Sequence, residues 1–209
     1  SGVADAAANA YEHGTDSGRR PAGTYTPVST GEAFYNAIKS NTQDILLTGN
    51  ITLTSTTSTS GNFIWNNNSQ CFMQNTPFNH KIYGAGYTIT IKGPHTSSQG
   101  MQMNSADSHD YGGLVSRLER SGAIYDLKVV ITKGFSIETW ECYTQTWPAS
   151  NVDYWLNVGG IVGYMAGGAV IDNVYVELAE SSVRLASFKY NSRGSTSQYV
   201  RAGGIVGEM

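Results

Sequence analysis

The segment Gly159-Gly160-Ile161-Val162-Gly163-Tyr164-Met165 returns at the end of the sequence as Gly203-Gly204-Ile205-Val206-Gly207-Glu208-Met209. A weaker copy stands earlier, at Gly112-Gly113-Leu114-Val115. Gly112 to Gly159 is a step of 47 residues and Gly159 to Gly203 a step of 44. A period of that size belongs to repeat architectures, in which a unit cannot bury its apolar face alone and stacks on its neighbour. The first two copies each lead into a second shared segment, which extends the repeat. After the second copy this is Gly168-Ala169-Val170-Ile171-Asp172-Asn173-Val174-Tyr175-Val176, and after the first Gly122-Ala123-Ile124-Tyr125-Asp126-Leu127-Lys128-Val129. Aligning Ile124 with Ile171 sets Leu127 on Val174 and Val129 on Val176. The unit then reads G-G-(I/L)-V, a Gly turn, and I-x-x-(L/V)-x-V: two short β-rich runs joined by a turn. The third copy stops at Met209, before its second half. The expectation is a chain that continues further or is completed by a partner.

This pattern resembles the GLUG repeats of bacterial surface proteins and the related pectin-lyase-like parallel β-helices. The resemblance spans about Ile82 to Met209 and is best from Gly112 to Leu178. The first copy departs from it, with Ser116 where the others have Gly163 and Gly207. The resemblance implies a right-handed parallel β-helix on a secreted or surface-anchored, often adhesive protein. It implies no activity. The expected fold is accordingly all-β: a right-handed parallel β-helix (solenoid) with a short N-terminal capping helix and long loops on one flank. Residues 1–28 are expected to form an arm or linker, and 29–209 the β-helix domain.

Upstream of the repeats, Ser29-Thr30-Gly31-Glu32 has the form of a capping box, with a hydroxyl at the N-cap and Glu three residues on. Phe34 and Ile38 share the next face at i, i+4, so a short helix is expected from about Gly31 to Lys39. Asp44 to Thr48 and Asn50 to Thr54 read as strands, with Ile51 and Leu53 alternating with Thr. Gly84-Ala85-Gly86-Tyr87-Thr88-Ile89-Thr90-Ile91 reads as a turn and a strand. A dinucleotide-binding loop is a poor alternative, because the third Gly is missing and a strand begins where the helix should. Gly14 to Gly23, which holds Arg19-Arg20-Pro21, reads as an exposed arm able to reach a neighbouring subunit.

Charge narrows the function. Only 14% of residues are charged and the net charge is −3, so the basic stripe that nucleic-acid binding needs is missing. At 40% hydrophobic residues the chain is too apolar to be disordered. No apolar run approaches the ~18 residues of a membrane span. Two cysteines, Cys71 and Cys142, are read as one disulfide suited to an oxidising compartment, with two buried thiols as the alternative. Closing that loop stabilises by roughly 4 kcal/mol on the chain-entropy model.

The densest aromatic stretch is an insertion after the first full repeat, with Trp140, Tyr143, Trp147, Tyr154 and Trp155. Flat rings beside Asn, Gln and Glu can stack on sugars or anchor a protein partner, and they can equally pin the loop to the body of the fold. Asp107, His109 and Asp110 form the one short cluster with metal-ligand chemistry, but no metal-binding spacing surrounds them, and no metal or cofactor is expected. Asp126 and Asp172 fall one position apart in the repeat alignment. Beside Asn173, such residues commonly bond to local backbone. Asn50 and Asn67 head Asn-x-Ser/Thr glycosylation triplets. With no nucleophile elbow and no paired Cys/His, no catalytic residue is assigned. The functional expectation is a non-enzymatic extracellular or cell-surface structural or adhesive module. It would be a segment of a larger surface protein or a subunit of a surface filament, and its partners other copies of itself or the rest of a longer chain. The alternative is a polysaccharide-binding or polysaccharide-cleaving protein that uses the aromatic flank.

Overall fold

A computed structural model describes residues 13–54, 77–92, 109–133, 135–137, 154–179, 186–188 and 198–209. The elements in chain order are β1 (Tyr25–Val28), α1 (Gly31–Ser40), β2 (Asp44–Leu47), β3 (Ile51–Thr54), β4 (Pro77–Phe78), β5 (Lys81–Tyr83), β6 (Thr88–Lys92), β7 (His109–Gly112) and β8 (Val115–Leu118). They continue with β9 (Ala123–Lys133), β10 (Phe135–Ile137), β11 (Tyr154–Gly159), β12 (Val162–Met165), β13 (Val170–Leu178), β14 (Ala186–Phe188), β15 (Gln198–Gly203) and β16 (Val206–Glu208).

The expectation of one right-handed parallel β-helix is corrected by the sheet topology. The described strands fall into four separate sheets, of seven, two, three and four strands, with one helix among them. The seven-stranded sheet also branches. The long strand β9 bends at Asp126 and pairs β5 before the bend, β6 after it, and β13 along its other edge. The result is a β-rich fold of parallel sheets. The physical reason for the difference is that apolar alternation marks which residues face inward, while the division of strands into sheets depends on bends that alternation does not encode.

Every pairing among the described strands is parallel, and the repeat alignment is reproduced residue by residue. Ile171 lies opposite Ile124, Val174 opposite Leu127 and Val176 opposite Val129. Val162 pairs with Val115 on one side and Val206 on the other. Like residues stack across successive strands: Ile45, Ile82, Ile124 and Ile171 form one row, and Leu53, Ile91, Ile131 and Leu178 another. The first three members of each row are buried in a common apolar core.

Helix α1 closes one end of that core. Phe34, Ala37 and Ile38 are buried on one face of the helix and join the core cluster, and α1 packs against β1 and β3. The cap differs by one residue from the expected box. Thr30, not Ser29, is the N-cap, and its side chain accepts the Ala33 N–H at 3.2 Å. Glu32 therefore sits in the first turn, where its charge still complements the helix N-terminus. Asn41 ends the helix in the left-handed conformation (φ 48°).

Candidate functional site: a strapped corner beside an open edge

Two features of the last full repeat stand out, and they are adjacent. The first is a corner. Ala85, Asp126 and Asn173 each adopt a left-handed backbone, with φ of 51°, 54° and 55°. They occupy matching places where the chain bends between strand directions. Gly84 and Gly86 donate their N–H groups to the carbonyls of Tyr125 and Asp126, at 2.7 and 2.8 Å, which joins the first corner to the second. Asn173 Nδ2 donates to Asp126 Oδ1 at 2.7 Å, which joins the second to the third. Asp and Asn tolerate this conformation because their short polar side chains bond locally.

Across the corners lies the segment from Gly14 to Arg20. Gly14 N–H donates to Asn173 Oδ1 at 2.9 Å, and Asn173 Nδ2 returns a bond to the Thr15 carbonyl at 2.7 Å. Ser17 Oγ donates to Asp126 Oδ2 at 2.5 Å. The Arg19 guanidinium reaches Asp172 at 2.5 Å, stands 4.0 Å from Asp126, and lies 4.7 Å above the Tyr125 ring. Asp126 is almost wholly buried, 1% exposed, so these donors replace the water its carboxylate has lost. Arg20 grips Asp16 with two bonds, of 2.8 and 2.7 Å, and Gly18 N–H adds a third. This holds the Asp16 carboxyl down at about 2, below its ordinary 3.8. The expected free arm is therefore, from Gly14 to Arg20, a strap on its own chain. Asp126 and Asp172 are brought together, but through Arg19.

The second feature is an edge. Among the described residues β13 pairs only with β9. The rows that are buried elsewhere come to the surface here. Ile131 is 0% exposed and Leu178 opposite it 47%. Ile161 is 0% exposed and Ile205, its match in the next repeat, 41%. Val170 and Tyr175 are exposed as well. A cavity of about 460 Å³ opens against this edge, lined by Val174, Tyr175, Val176, Leu178 and Ile205, and by His13, the residue before the strap.

The residues singled out from the sequence fall differently. Cys71, Cys142, Asn67, Asp107, Trp140, Tyr143 and Trp147 lie outside the described residues. Tyr154 and Trp155 fall in β11, and His109 and Asp110 in β7, with Trp155 in register with His109. Asn50 is exposed, and its Oδ1 accepts the Thr88 N–H at 2.9 Å. Among the described residues, no group of three or more His, Cys, Asp or Glu is placed to hold a metal ion. No described helix is long and apolar enough to cross a membrane.

Two clusters carried no sequence signal. Tyr111 and Tyr164 lie 5.5 Å apart with Arg117 within 6.0 Å of both rings, and burial pushes the Tyr111 hydroxyl pKa up. Asn157 is fully buried and neither polar atom of its amide has a hydrogen-bond partner among the described residues. The strap was legible only as a Gly- and Arg-containing arm, because its partners lie 109 to 159 residues away. Comparison of the chain with protein-family models, curated proteins and solved structures finds no match.

Proposed function

We propose that this chain is a non-enzymatic structural or adhesive module of an extracellular or cell-surface protein, as a segment of a larger surface chain or a subunit of a surface filament. One observation carries the reading. The apolar rows that are buried strand by strand through the fold become half-buried at Ile171, Val174 and Val176 and exposed at Leu178 and Ile205. Fully burying one Leu, Ile or Val side chain is worth roughly 1.5–3 kcal/mol, so a surface of this kind is stabilised by a further strand. The corner carboxylates support the same reading. Asp126 and Asp172 are engaged by Ser17, Asn173 and Arg19, which suits fastening better than acid–base work. The test is surface labelling of intact source cells with an antibody against this chain, joined to electron microscopy of the native material. Surface label on filaments or on a longer polypeptide is expected. An intracellular monomer, or purified chain that depolymerises a polysaccharide, overturns the proposal.

A further inference from the structure

Arg19-Arg20-Pro21 takes no part in stacking the repeats, yet the strap holds it in a particular way. Asp16, Ser17, Gly18 and Arg20 are exposed, and residues 21–24, which lead on to β1, form neither helix nor strand. Exposed segments of small and polar residues are where proteases cut. An Arg-directed serine protease takes the arginine side chain into a pocket floored by an acid and binds the carbonyl oxygen of the bond it breaks with N–H donors. It also needs the chain opened out along its cleft. The bond after Arg20 is a poor target, because Pro21 has no N–H and its ring crowds the residue before it. The bond between Arg19 and Arg20 has no such block.

Each requirement is denied at that bond while the strap is docked. The Arg19 guanidinium already has its acid, Asp172 at 2.5 Å, and lies on the Tyr125 ring. The Arg19 carbonyl accepts a hydrogen bond from Arg20 Nη1 at 2.7 Å, so the oxygen that a protease must polarise is occupied. The backbone is closed into a turn. Gly18 N–H bonds Asp16 Oδ1, Gly18 has φ 85°, and the Arg20–Asp16 ion pair spans the turn. Ser17 and the Gly14–Asn173 bond pin this turn to the corners.

We infer that the Arg19–Arg20 peptide bond is a latent processing site for an Arg-directed serine protease, closed while the strap is docked and open when it lifts. The cut consumes one water. It leaves a carboxylate on Arg19 and a new amino terminus on Arg20, and it severs the strap from β1. Ser17 and Arg19, two of the donors around the buried Asp126 carboxylate, are then held to the fold by non-covalent contacts alone. Processing here therefore loosens the corner where the second and third repeats meet. The inference does not depend on the surface role proposed above.

The probe is trypsin, added in trace amount to the full 209-residue chain, with the initial rate of the Arg19–Arg20 cut read by mass spectrometry. A free peptide of residues 15–24 is the reference. The peptide should be cut between Arg19 and Arg20, and the folded chain roughly a hundredfold more slowly or less, because several hydrogen bonds must open first. Asp172→Asn should speed the cut in the chain roughly fivefold, as loss of one half-exposed ion pair implies. Asp172 lies outside the stretch a protease grips, so its own contacts are unchanged, and circular dichroism checks the fold. Ser17→Ala should speed the cut roughly tenfold relative to a peptide with the same change, through loss of the bond to Asp126. Equal rates in chain and peptide, no effect of either variant on the guarded rate, or a peptide left whole at this bond would each overturn the inference. Guarded cutting of a chain found inside the cell would refute the surface reading and leave this site standing.

Discussion

The repeat motif itself supplies the sharpest prediction. Gly163 lies where two successive repeats touch. A Cβ placed on it would stand 2.8 Å from Gly112 N and Ser116 O, and 2.9 Å from Tyr111 Cβ. Ordinary contact begins near 3.4 Å, so each neighbour would have to retreat by about 0.5 Å, and two of them are backbone atoms locked in the sheet. Overpacking of this kind costs typically 1–3 kcal/mol. The lower entropy of the unfolded Ala chain returns about 0.4–1 kcal/mol. Gly163→Ala should therefore destabilise by about 1.3 kcal/mol, a fall in Tm of roughly 3–5 °C for a chain of this size. Urea titration followed by circular dichroism, with the slope unchanged, is the assay. Gly23→Ala is the control, because nothing stands within 4 Å of its added Cβ, and it should be neutral or slightly stabilising. If Gly163→Ala unfolds within 0.5 kcal/mol of the parent, where ordinary surface substitutions fall, the close approach of the repeats is not what the glycine serves.

Other named contacts give equally definite outcomes. Phe34→Ala removes a fully buried ring from α1 and should cost about 3–5 kcal/mol in the same titration. Arg19→Ala releases Asp172 and uncovers Tyr125. Because the guanidinium is about a third exposed, screening limits the loss to about 1 kcal/mol, shrinking at high salt. Asn157→Leu replaces a buried amide that has no hydrogen-bond partner among the described residues and should raise stability by about 1 kcal/mol; a loss of stability would show that the amide is satisfied. The Asp16 pKa is depressed in the folded chain, so its contribution is complete above the ordinary value of 3.8 and disappears as pH falls through about 2. Amide exchange at Gly18 should accelerate over that window, and Asp16→Asn should abolish the dependence.

Much of the pairing was legible because apolar rows repeat. The alignment of Ile124 with Ile171 became a physical register, and the Val115, Val162 and Val206 row did as well. Gly163 presses on Tyr111, Gly112 and Ser116 of the repeat before it, and Gly207 in turn presses on Val158 and Gly163. Ser116, fully buried at the same place in the first copy, has no structural explanation. What stayed hidden was of another kind. The split into four sheets depends on bends such as that at Asp126, whose left-handed backbone the sequence signals only through a residue type common in turns. The helix cap moved from Ser29 to its neighbour Thr30, because two adjacent hydroxyls compete for one role. The corner carboxylates look like a chemical pair in the sequence, and only the fold places Arg19 between them.

The two ends of the core are held by different means. At β1 and β3 the core is sealed by a helix that buries Phe34 and Ile38, and Pro27 blunts the edge. Apolar burial of that kind does not depend on the charge state of any side chain. At β13, whose one strand partner among the described residues is β9, Ile171, Val174 and Val176 are half-buried and Leu178 is exposed, and the repeat is fastened from the side by the strap. Gly14 and Thr15 hold Asn173, and Arg19 holds Asp172. These contacts grip the corner without covering the pairing edge. The strap fixes the corner of the last repeat through polar contacts, where the helix fixes the opposite end through apolar burial.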